Sequence, residues 1–281
     1  RYYDQDLPLP KHYTERHQQQ HPYIEDYRRS FVYDEFFETP DMVKRAQAGY
    51  LGLCSFLDEN VGKIIAALEE SGFADTNRVV YTSAHGDNVG CRGLWGKSTM
   101  YEESVGVPLI LAGPEIPAAT TIGTPVNLLD LYPFIMRCAG EHDETTITTS
   151  HPGGDLAAIM SNADRERAVF SEYHGMGSKT AAFMIRKGNY KLVHYTRYPP
   201  QLFDLASDPE EFVDLAGQAN AKPILDDLEA ELRKICDPDA VDRSAKQRQK
   251  QLLEESGGKP AVIARGDLGF SVPPGVKPQF D

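Results

Sequence analysis

A chain of 281 residues with 41% hydrophobic and 25% charged side chains can bury a substantial core and has the composition of an ordinary globular protein. Its formal charge of −13 leaves no basic excess to neutralise phosphates, which excludes a general nucleic-acid binder. No apolar run reaches the roughly 18 residues that a membrane-spanning helix needs.

The first 40 residues are rich in Tyr, His, Pro and charge without a sustained period, and they read as a surface excursion with one short helix. Their histidines, His12, His17 and His21, fit no metal-ligand spacing and read as part of a solvated polar loop. From Pro40 to Gly72 the pattern sharpens. Tyr50, Leu53, Cys54, Leu57, Val61, Ile64, Ile65 and Leu68 recur at steps of three and four, predicting a helix with one apolar stripe, Asp41 as its N-cap and Gly72 just past its end. The β-branched run at 79–83 then predicts a short buried parallel strand, half of a βαβ unit, and VPLILA at 107–112 a second buried strand.

Residues 124–138 predict a helix with Thr124 as N-cap and Pro125 in its first turn, bent or split by Pro133. A polar connection over 140–165 follows. Four short runs, AVFSEY, AAFMIRKG, YKLVHYT and PQLFDL, predict a small antiparallel sheet. Next comes a helix over 223–236 with Ile224, Leu225, Leu228 and Leu232 on one side. A charged helix over 241–255 and a Gly/Pro-rich tail close the chain. The predicted division is 1–150, 151–240 and 241–281.

The four cysteines, Cys54, Cys91, Cys138 and Cys236, form no CxxC pair and read as free thiols. Arg1 opens polar sequence with neither an initiator Met nor a signal-peptide pattern, so the chain is expected to be a piece of a longer protein. Its expected location is the cytoplasm, with export left open by the missing start.

Chemistry is expected in the loop between the two strands at 79–83 and 107–112, since ligands commonly sit beyond the carboxyl end of a buried strand. His85 and Asp87 could ligate a divalent metal or act as acid and base, and Lys97 could contact an anionic oxygen. A polar loop with a capping Asp and a surface Lys explains the same residues equally well.

Three motifs here, SAHGD at 83–87, GLWGK at 93–97 and EESVGVPL at 102–109, resemble the second signature region of type I sulfatases in the alkaline phosphatase superfamily. The likeness is to the branch of choline-sulfatase and phosphonate monoester hydrolase, whose text is S-D-H-G-D, G-L-W-x-K and E-x-S-x-x-V-P-L. The helix before the first strand, the NLLDLYPF stretch, GNYKLVHY and QLFDLASDPEEFVDLA continue the resemblance in the family's order.

The resemblance implies an α/β fold: the C-terminal part of an alkaline-phosphatase-like sandwich, with a small antiparallel sheet plus helix at its end. It implies a sulfate monoester hydrolase, with phosphonate or phosphodiester hydrolysis, or a non-catalytic protein keeping the fold, as alternatives. It makes His85 a metal ligand and Lys97 the contact to the ester's anionic oxygens, both catalytic, and brings His174 of the Glu172–Tyr173–His174 segment near the substrate, a surface histidine at a strand end being the other reading of that residue. Ala84 stands where the family has its ligand Asp, either as an engineered inactivating change, which the intact remainder of the loop favours, or as a natural loss. The metal implied is calcium, alternatively manganese or magnesium. The implied nucleophile, formylglycine, has no matching C/S-x-P/A-x-R site here, so it would lie in the N-terminal half of the same protein and this chain alone would be inactive. The tail resembles extensions that reach a neighbouring subunit, implying a homo-oligomer.

Overall fold

The computed structural model describes residues 2–16, 20–30, 32–140, 151–175 and 177–266. His17, the Thr-rich stretch within 141–150 and the tail from 267 onward lie outside the described residues. The chain divides into two compact units, Arg1–Ile235 and Cys236–Asp281.

The first unit is built on a four-stranded antiparallel meander, β3 (Val169–Tyr173), β4 (Ala182–Lys187), β5 (Tyr190–Tyr195) and β6 (Tyr198–Asp204), in sequential order as the four runs predict. Alternation sends β4 and β5 residues to two faces, and both faces are covered, which is why Ala182 to Ile185 are apolar without a break and Leu192, Val193 and Tyr195 are buried beside them. On one face, Ala182, Met184, Val193, Tyr195 and Phe203 pack with Tyr23, Ile24 and Tyr27 of α1 (Pro22–Ser30) and with Leu94, Met100 and Tyr101. The excursion predicted at the amino end is therefore partly core. Its tyrosines are the anchors, and periodicity misses them because the helix is only nine residues long.

Helix α2 (Pro40–Glu70) matches the predicted span, but its N-cap is Thr39, whose hydroxyl accepts from Met42 N, and Asp41 lies inside the first turn. Gly72 adopts the left-handed conformation expected after the helix end. Strands β1 (Val79–Thr82) and β2 (Leu109–Ala112) pair antiparallel; the βαβ unit expected around α2 draws its first strand from elsewhere, so this pairing does not bear on it. The connection between them holds only a short 3-10 turn and the one-turn helix α3 (Glu102–Val105), so no crossover helix carries the chain back to start a parallel strand. Neither strand is fully buried within the described residues.

Helix α4 (Leu131–Cys138) begins later than the Thr-Pro pair predicts. Asn127 caps the 3-10 turn Leu128–Asp130 that leads into it. Thr124 instead accepts a bond from Asp164 N, so a tertiary contact takes the hydroxyl that a helix cap would use. Pro133 falls in the first turn, where no N–H is missed, and neither bends nor splits the helix. The polar connection contains a short helix, α5 (Leu156–Ser161), capped by Asp155. Helix α6 (Lys222–Ile235) packs on the outer face of β4 and β5 with Leu228 and Leu232 buried.

The second unit holds α7 (Pro238–Glu255), capped by Asp237, and α8 (Gly258–Arg265). The latter falls at the start of the stretch read as a Gly/Pro-rich tail. Gly257 takes the left-handed turn between the helices, and Ala261 to Ala264 supply enough helix formers to restart.

Candidate active site

His85 leaves the end of β1 on a tightly constrained turn. Ser83 Oγ donates to His85 O at 2.7 Å, and Gly86 N donates to Ser104 O at 2.8 Å. Gly86 is required by this close approach, because a Cβ there would sit 2.0 Å from the Glu103 carbonyl oxygen. Twelve residues on, Lys97 brings its Nζ to 2.8 Å from His85 Nε2. An ammonium has only hydrogens to offer, so Nε2 is the acceptor and Nδ1 carries the proton, donated to Gly86 O at 2.8 Å. The two residues predicted as catalytic are thus in direct contact, and both are exposed.

They open onto a cavity of about 340 Å³ lined also by Ala84, Thr99, Ser104, Asn127, Ser171, Glu172 and Tyr173. Tyr173 donates to Ser98 Oγ at 2.8 Å, tying β3 to the residue after Lys97. His174 does not line this cavity. Its Nε2 lies 3.3 Å from Glu172 Oε2 and its ring meets Phe183 edge-on, so Glu172 and Tyr173 are the members of that segment placed beside Lys97.

Asp87 is occupied within the loop: its Oδ1 accepts from Val89 N at 2.8 Å and Gly96 N at 3.2 Å. Ala84 offers only a methyl group. Among the described residues no group of three or more His, Cys, Asp or Glu side chains converges on a metal position. The donors of this chain at the loop, one imidazole facing an ammonium, do not by themselves fit a divalent cation, which takes several oxygen ligands in its hard-ion sites. No thiol is placed to attack here either. Cys54, Cys91 and Cys138 do not line the cavity, and burial pushes the Cys91 thiol up to about 11.

Two ion clusters hold the walls. Lys191, fully buried on β5, lies 2.9 Å from Glu102 Oε1 at the start of α3 and 2.7 Å from Glu211 Oε1. Glu211 Oε2 in turn accepts from Glu102 N at 2.7 Å. Burial pushes the Glu211 carboxyl up, with Lys191 only partly offsetting it. Burial acts on Glu102 too, but there Lys191 and Arg186 prevail and its pKa is lowered. The second cluster centres on Asp130, also fully buried. It accepts two bonds from Arg167, at 2.7 and 2.8 Å, and one each from Asn127 N and Gly154 N. Neither Lys191 nor Asp130 was predicted as important. The available signal was a lysine at a position sharing its strand face with Val193 and Tyr195.

Against known proteins, residues 7–141 match the sulfatase family, and residues 90–237 match the family described as N-sulphoglucosamine sulphohydrolase, C-terminal. Arylsulfatase K of Danio rerio is 31% identical over 226 residues, covering 77% of this chain and 42% of that protein. Choline-sulfatase of Rhizobium meliloti (strain 1021) is 34% identical over 198 residues, covering 70% of this chain and 38% of that protein. The solved phosphonate monoester hydrolase of Silicibacter pomeroyi superposes with a TM-score of 0.68 at 26% identity, over 82% of this chain and 50% of that one. A protein solved with its substrate D-glucosamine-2-N,6-O-disulfate gives 0.63 at 26% identity, over 70% and 41%. The chain spans about two-fifths of the length of these curated relatives. With two family models matched across residues 7–237 and relatives 31% and 34% identical over 77% and 70% of its length, the chain belongs to the sulfatase family, in the alkaline-phosphatase-like α/β fold.

Proposed function

We propose that this chain is part of a hydrolase of sulfate monoesters, in which Lys97 binds an anionic oxygen of the transferring group and His85 steadies the lysine. The observation that carries the reading is the 2.8 Å contact between Lys97 and His85 at the mouth of a cavity whose far wall is β3. A cation fixed in position before the substrate arrives stabilises negative charge without reorganising during the reaction. The nucleophile, formylglycine in this proposal, comes from the rest of the protein, as do the carboxylates of a calcium, manganese or magnesium site; His85 would join such a site only by releasing Lys97 from its Nε2.

The same remainder of the protein is the proposed partner of α2, whose Leu53, Leu57 and Ile64 are exposed. Assembly of several copies through the carboxyl-terminal tail also stands as a proposal. Two other readings have specific support. The phosphonate monoester hydrolase neighbour favours phosphonate or phosphodiester substrates. Ala84, a methyl at the family's ligand position, favours a protein that keeps the anion site without turnover.

The test is hydrolysis of 4-nitrophenyl sulfate and of a phenylphosphonate monoester by the complete polypeptide, with and without Lys97→Ala and Ala84→Asp. Sulfate ester turnover that Lys97→Ala lowers at least about a hundredfold supports the proposal. Faster phosphonate cleavage transfers it to the second substrate class. Activity and bound metal that appear only with Ala84→Asp identify an inactivated hydrolase, and none in any variant refutes catalysis.

A further inference from the structure

We propose that Asn88 is a positioning residue for Lys97, setting the direction from which the ammonium meets an anion. The proposal rests on Lys97 being the anion-binding group. Lys97 is exposed and carries a long flexible stem that His85 holds only at its tip, so the direction of the stem depends on where it starts. What fixes it must act on the backbone around it.

Asn88 does this from both sides. It is completely buried. Its backbone N and its Nδ2 both donate to the carbonyl of Gly96, the residue before Lys97, at 2.8 and 2.7 Å. Its Oδ1 accepts from Thr99 Oγ1, two residues after Lys97, at 3.4 Å. The Thr99 hydroxyl is itself 3.0 Å from Ser104 Oγ, which lies on α3. One planar amide therefore grips the chain on either side of the lysine, and only an amide offers a donor and an acceptor in this arrangement.

Asp87 takes the Gly96 N–H from the adjacent position, so both polar groups of Gly96 are held. The left-handed conformation of Gly96, with φ at 72°, turns the next residue back toward His85. The backbone bond from Asn88 N to Gly96 O survives any substitution of the side chain. Loop closure and side-chain positioning are thereby separable by mutation.

The experiment titrates the 281-residue chain with inorganic sulfate and follows the indole N–H resonance of Trp95, the single tryptophan, two residues before Lys97. Sodium chloride at matched ionic strength is the control. Lys97→Ala is expected to weaken sulfate about tenfold, and Asn88→Ala about threefold to tenfold, the order of one charge-assisted hydrogen bond. Asn88→Asp, which keeps the acceptor and loses the donor, is expected to behave like Asn88→Ala. The double variant Asn88→Ala/Lys97→Ala is expected to bind no more weakly than Lys97→Ala alone, since an unpositioned lysine and an absent one differ little. Thermal unfolding shows which variants are folded, and Asn88→Ser repeats the cycle should the alanine variant unfold.

Unchanged affinity in a folded Asn88 variant, or losses that add in the double variant, would overturn the positioning role while leaving the anion site standing. Unchanged affinity in Lys97→Ala would overturn the anion site and the role of Asn88 with it.

Discussion

Lys191 shows how much one buried charge can organise. Two carboxylates from separate segments, Glu102 and Glu211, converge on its ammonium, and Glu102 lies five residues after Lys97. Removing the cation leaves two carboxylates facing each other with only Arg186, 3.6 Å from Glu102, to offset them, so Lys191→Met is expected to cost about 3–5 kcal/mol. Glu211→Gln in the same chain removes one of the stranded charges. Urea unfolding should show the double variant more stable than Lys191→Met alone, and a double variant no more stable would refute the charge argument. His85 and Lys97 were singled out in the sequence as polar residues of a glycine-punctuated loop after a strand, a pattern that a plain polar loop shares, and their expected roles came from the family resemblance. Lys191 and Asp130 were not, because, apart from Asn127 three residues before Asp130, their partners lie 20 to 89 residues away, and no local spacing encodes such pairing.

Among the elements, α1 carries a pH dependence that its sequence hides. His21 precedes the helix, accepts from Tyr23 N through Nδ1 and meets Pro199 O through Nε2, with its ring stacked on Tyr195. Burial holds its pKa below the ordinary 6.5, and the Pro199 carbonyl only partly opposes this. The unfolded chain therefore gains a proton at His21 as pH falls below about 6.5, while the folded chain does not until pH passes the lowered value. Stability contributed by His21 is full above that window and lost on acidification through it. His21→Asn keeps a capping side chain but no titration. Urea midpoints at about pH 7.5 and about pH 5.5 should differ less in His21→Asn than in the parent, and an equal difference refutes the assignment. His12 is shifted the same way, by burial and then by Arg92, and contributes part of the remaining acid sensitivity. The four strands of the meander were readable since each is a short β-rich run between turn residues. The start of α4 was not, because Thr124 and Pro125 satisfy a cap signature that the contact to Asp164 overrides.

Within the first unit, the predicted apolar stripe of α2 exists, but what it faces could not be read from periodicity. Leu53, Phe56 and Ile64 are each 67% exposed, and only Val43 and Ala48 of the helix are buried. Beside β2 lies a cavity of about 330 Å³ lined by Leu109, Leu111, Ile122, Leu156 and Met160, with no charged group in its lining. A helix with an apolar stripe at regular spacing is normally covered, each large side chain gaining about 1.5–3 kcal/mol on full burial. These surfaces are therefore expected to behave differently in the isolated chain and in the complete protein. In the isolated chain, Leu53→Lys/Ile64→Lys should leave the thermal midpoint nearly unchanged and reduce self-association seen by sedimentation, because exposed apolar patches drive association. In the complete protein the same pair should lower the midpoint by several degrees, since two lysines would then be forced into a buried layer. Equal tolerance in both contexts would mean that the stripe stays open to solvent even when the rest of the polypeptide is present.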